Sequence, residues 1–228
     1  MKKIFIRNMT RQILNSATVL TIIGILAIYG VFNSPIIFKT CFGKAYKATD
    51  LTSIGFMIFL SGVCFLLIPI LINKIIYQEK LKNIGLALPN NMSRAVILTI
   101  FTMAVLIPAI LLLARQPSVI KYYTLDSQNK MYLIILQLVL MPLYYFFEEF
   151  FFRGFLLINL WNKVKWHSFW ITDILFTLAH LNKPILEFLF AIPIGIIFAF
   201  LALNTRSIYP SIITHYFMGI AMILSVNY

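Results

Sequence analysis

The chain has 228 residues, 61% of them hydrophobic and only 11% charged, with a net charge of +12. A soluble domain carries about a quarter charged residues, so this composition excludes an ordinary soluble protein. Nucleic-acid binding is also disfavoured, because the Lys and Arg residues flank apolar runs and no polar module exists to carry it.

The apolar runs are continuous and much longer than the roughly ten-residue alternating segments of a membrane barrel. The expected fold class is therefore all-α, a polytopic transmembrane helical bundle forming one membrane domain over 1–228. A span needs about 20 apolar residues, which gives about seven spans, with six or eight as the bounds. In chain order they fall at 14–37, 52–77, 95–114, 131–161, 167–182, 185–204 and 207–227. The first follows a basic start, MKKIFIRNMTRQ. Its apolar stretch exceeds a signal-peptide h-region and no small-residue cleavage site follows, so it reads as an uncleaved span.

The loop 78–94 is polar with a Pro-Asn-Asn turn, and 115–130 is expected along the membrane interface. The fourth span is long, which implies tilt or a kink at Pro142, and the fifth is short. With the N-terminus inside, the inner set is Lys2, Lys3, Arg7, Arg11, Lys74, Lys80, Lys82, Arg94, Lys163, Lys165 and Arg206. The outer set is Lys39, Lys44, Lys47, Arg115, Lys121, Lys130 and Lys183. That bias of 11 against 7 favours a cytoplasmic N-terminus in the cell membrane. The same residues are expected to meet anionic lipids. Cys41 and Cys64 imply no disulfide framework.

The fourth span contains MPLYYFFEEFFFRGFLLINLW, with Glu148, Glu149 and Arg153. A charge at the bilayer centre costs at least about 2.5–3.5 kcal/mol, so three within six residues must pair, face a wet cavity or do chemistry. Glu149 and Arg153 are four apart, share a helix face and can form an ion pair. Glu148 points about 100° away, has no local partner and is free to act as a base. His180 lies in the fifth predicted span, two turns after Asp173, and His215 lies in the seventh. Counting along the helices puts Glu148, His180 and His215 about 20, 20 and 12 Å deep, so the three can meet near the membrane middle.

Other polar and aromatic residues read more plainly. Asp173 fits either a supporting role or a simple helix-face hydrogen bond, and His167 sits at the interface. The Phe residues near 146–155 read as core or lipid contacts. A Glu with two His also suits zinc, but no HExxH pairing is present and no metal or other cofactor is expected. A transporter would show a repeat, and none is found.

In order, these residues resemble a known family. Glu148-Glu149-Phe-Phe-Phe-Arg153 resembles the EExxxR motif of the CAAX protease and bacteriocin-processing family (CPBP, also called Abi). Phe176-Thr-Leu-Ala-His180 resembles its FxxxH motif, and the segment Ser207–His215 resembles the one carrying its HxxxN or HxxxD motif. The resemblance covers 131–220, which is then the catalytic core. It implies an intramembrane glutamic endopeptidase. Glu148 and His180 would activate a water, His215 would bind the oxyanion, and Glu149 and Arg153 would support the site. The substrate would be a peptide or a membrane protein, in peptide or bacteriocin processing or self-immunity.

One position departs from the pattern. The Asn or Asp four residues after the third-motif His is Gly219 here, so one oxyanion donor is missing or is supplied elsewhere, by Asn182 or a backbone N–H. The alternative reading is a catalytically impaired immunity or regulatory scaffold that binds a peptide or partner protein.

Overall fold

The structure is a computed structural model that describes residues 2–46, 50–124 and 130–227, with side chains described from residue 17 onward except Lys130. Of the basic residues counted for orientation, Lys47 lies outside the described residues. Lys2, Lys3, Arg7, Arg11 and Lys130 fall where only backbone is described.

Every regular element is a helix among the described residues. In chain order they are α1 (Lys2–Phe32), α2 (Ser34–Phe42), α3 (Leu51–Tyr77), α4 (Met92–Leu113), α5 (Pro117–Tyr123), α6 (Met131–Val164), α7 (His167–Leu178), α8 (Ile185–Thr205) and α9 (Tyr209–Asn227). Five of them are long and apolar enough to cross a membrane, or up to six if α1 and α2, bent by 51° at their junction, form one span. Six is the lower bound expected from the sequence, one span short of the seven taken in chain order. The difference lies in α7, whose 12 residues make a rod only about 18 Å long. Pro184 disfavours the α conformation at the residue before it, so the chain leaves α7 through a turn over 179–184.

Outward faces are greasy: Leu26, Phe59, Ile97, Phe101 and Leu138 are all exposed. Between helices in lipid there is no hydrophobic drive, so association rests on close packing and on polar contacts. The packed centre is aromatic, with Phe65 stacked on Phe151 at 4.8 Å and Phe152 edge-on to Phe176 at 5.4 Å. Phe150, Phe151, Phe152 and Phe155 are fully buried, as core residues should be.

The long helices are locally widened. π-turns occupy Val63–Leu67 just before Pro69 and Leu136–Leu140 just before Pro142. A proline ring clashes with the carbonyl four residues back, and an inserted π-turn relieves this without breaking the rod. A longer π segment, Phe150–Ile158, has no proline and holds Arg153. The loop after α3, read as polar from its sequence, buries Ile84 against Phe150 and Ile208 beneath this segment. Gly154 permits the approach, since a Cβ there would lie 2.7 Å from the Ile84 carbonyl oxygen.

Polar contacts tie both ends of the bundle. At one end the Lys163 Nζ lies over the Tyr77 ring at 4.4 Å, Arg94 donates to Asn204 at 3.0 Å, and the Ile208 N–H donates to the Gly85 carbonyl at 3.1 Å. At the other, Lys183 donates to the Tyr123 hydroxyl at 2.7 Å, and that hydroxyl donates to Glu187 at 2.6 Å.

Candidate functional site

The site is built on α6, the turn after α7, and α9. Glu148, Glu149 and Arg153 on α6 are 2%, 0% and 0% exposed. Arg153 Nε is 3.4 Å from Glu149 Oε2, the pairing expected from their spacing. The guanidinium carbon also lies 4.3 Å from the Phe176 ring centre and 5.7 Å from that of Phe198, so the cation is held between aromatic faces of α7 and α8.

His215 on α9 brings the carboxylates together. Its Nδ1 is 2.8 Å from Glu149 Oε1 and 3.8 Å from Glu148 Oε2. Glu149 is thus shared between Arg153, the pairing expected, and His215. Glu148, which has no partner on its own helix, faces the same imidazole on α9.

His180 lies in the turn rather than within a helix. Its Nδ1 is 2.8 Å from the Phe176 carbonyl oxygen. A carbonyl only accepts, so Nδ1 carries the proton, and a neutral ring presents Nε2 as a base. His180 makes no direct hydrogen bond to Glu148. Phe176 connects the two histidines, with its ring centre 4.7 Å from that of His180 and 6.3 Å from that of His215.

Asp173 is buried, with its Oδ1 unbonded and pressed against Gly195 of α8. His167 is exposed, as expected. Cys41 and Cys64 are both free thiols. Among the described residues no three His, Cys, Asp or Glu side chains are arranged as metal ligands. An apolar groove of about 530 Å³ between α4, α7 and α8 is lined by residues such as Phe101, Trp170 and Phe200 and by none of the site's ionisable groups.

Sequence reasoning missed Tyr145. Its ring lies 4.4 Å from the His215 ring, and its hydroxyl rests on Gly219. Asn182, the side chain considered for the missing donor, is exposed in the turn. A signal was available: Tyr145, Glu149 and Arg153 follow one another at four-residue steps on one face of α6.

Fold and site together define a class, a polytopic helical membrane protein with two buried carboxylates and a buried arginine against one half-buried histidine, and a second histidine across the Phe176 ring. Within that class, residues 128–221 match the family model described as Type II CAAX prenyl endopeptidase Rce1-like, a CPBP-family domain. The matched segment contains Tyr145, Glu148, Glu149, Arg153, His180, His215 and Gly219. The match supports an intramembrane protease. No curated protein and no solved structure matches the chain.

Proposed function

We propose that the protein is an intramembrane glutamic endopeptidase that hydrolyses a peptide bond with water activated by Glu148 and His180. The observation that carries this reading is the convergence of two buried carboxylates, Glu148 and Glu149, on His215 within 3.8 Å. So costly a cluster in lipid needs a use.

In the proposed reaction Glu148, with His180 Nε2 as second acceptor, takes a proton from water. The water oxygen bonds to the scissile carbonyl carbon, and the carbonyl π electrons move to oxygen as an oxyanion. Collapse of that intermediate breaks the C–N bond, and the departing amine takes the proton back. His215 gives its Nδ1–H to Glu149, so as an imidazolium it has Nε2–H for the oxyanion. Arg153 holds Glu149 in place. General acid–base assistance of this kind contributes about 100- to 10,000-fold.

The substrate proposed is a peptide or a membrane-protein segment, in peptide or bacteriocin processing or self-immunity. The basic residues at the helix ends are proposed to meet anionic headgroups, with the N-terminus cytoplasmic. The test is a comparison of the peptides released from cells carrying wild type, Glu148→Gln or His180→Ala at matched expression. Products present with wild type and missing with both variants support the reading. Undiminished products from either variant refute it and favour the scaffold. A chelator should leave release unchanged; loss restored by added zinc would refute the metal-free mechanism.

A further inference from the structure

We infer that Tyr145 is a further catalytic residue, its hydroxyl donating a hydrogen bond to the oxyanion beside His215. The inference rests on the protease reading above. Three observations place the hydroxyl. Tyr145 lies one turn before the paired carboxylates on α6, so the rod that carries the base also carries this donor. Its ring lies tilted against that of His215 at 4.4 Å and 35°, which holds the phenol beside the imidazole. The hydroxyl then comes to rest on the backbone of Gly219, one helical turn beyond His215. A Cβ at that position would collide with the hydroxyl oxygen and lie 2.7 Å from the ring's Cζ.

The glycine is therefore the complement of the tyrosine. Any side chain at 219 would displace the phenol from the histidine. Tyr145 is half-buried, and its hydroxyl makes no hydrogen bond among the described residues. By contrast, the neighbouring Tyr216 commits its hydroxyl to the Gln137 carbonyl at 3.1 Å. A free O–H next to His215 and three residues from Glu148 is aimed at the space where a carbonyl oxygen would gain charge. A phenol is a weak acid, so it donates this hydrogen bond without giving up its proton. The gap read at Gly219 from the sequence is thus occupied from a different helix.

The experiment uses purified full-length protein in vesicles and two sets of internally quenched peptides, one S-farnesylated near the C-terminus and one not. Cleavage by wild type, Tyr145→Phe, Gly219→Asn and Glu148→Gln is followed. Loss of one oxyanion donor costs about 100- to 1000-fold, so Tyr145→Phe should lose that much in kcat while KM stays within about threefold. Gly219→Asn should lose activity too, because its side chain and the phenol cannot share the position. A Tyr145→Phe rate within about threefold of wild type, with Glu148→Gln inactive, overturns the Tyr145 inference and leaves the protease reading standing. Cleavage by Glu148→Gln equal to wild type, or no cleavage of either set by wild type, overturns both.

Should Tyr145→Phe fail to accumulate, 3,5-difluorotyrosine at 145 keeps the shape and makes the phenol more acidic. The kcat profile should then fall at a lower pH on its alkaline side than that of wild type. An unmoved profile would overturn the inference.

Discussion

At the scale of single residues, the site turns on how few partners each charge has. Arg153 is completely buried, and its nitrogens find no hydrogen-bond partner in the protein beyond the ion-pair distance to Glu149. Its cation is stabilised instead by the Phe176 and Phe198 faces, which a planar guanidinium suits and an ammonium does not. Arg153→Ala should destabilise the fold by about 3–5 kcal/mol, because it strands a buried carboxylate. Arg153→Lys should recover only a small part of that, and Glu149→Gln in the Arg153→Ala background more. Thermal unfolding in detergent, read by the loss of monodisperse protein, measures all three. Equal stability of Arg153→Lys and wild type would show that the aromatic clamp contributes nothing. Much of this was legible in the sequence, since a four-residue step announces the Glu149–Arg153 pair. The sharing of Glu149 with His215 was not, because nothing along one helix tells which of two adjacent carboxylates a residue 66 positions away will meet.

At the scale of elements, the widened turns decide which side chains point inward. The π segment Phe150–Ile158 turns Arg153 and Gly154 toward the protein, and the Ile84 carbonyl packs where Gly154 has no side chain. Gly154→Ala should therefore force backbone against backbone and cost about 1–3 kcal/mol by overpacking. The same unfolding assay should show reduced stability, and a wild-type melting point would mean that the loop moves aside freely. Apolar runs made the long helices easy to read, because lipid demands continuous greasy rods. α7 was harder. Its sequence is as apolar as a span, yet a Pro184-bounded turn ends it after 12 residues and leaves His180 outside any helix. The loop before α4 misled in the opposite sense: its polar letters concealed Ile84, which is 1% exposed.

At the scale of the whole molecule, the contacts of Arg94 and Lys163 mark one end of the bundle and the Tyr123, Lys183 and Glu187 group marks the other. If the N-terminus is cytoplasmic, exposed Cys41 at the end of α2 faces outward while Cys64 lies within α3. A membrane-impermeant maleimide should then label intact cells, and Cys41→Ser should abolish the labelling. Labelling that requires permeabilised cells would invert the orientation. The central claim is that this buried cluster exists to hydrolyse peptide bonds, and it is tested most directly by single-turnover cleavage with purified wild type and Glu148→Gln reconstituted in the same vesicles. The account predicts equal substrate binding and a rate at least about 100-fold lower for the variant, the smallest effect expected for a general base. Equal rates for the two proteins would contradict it.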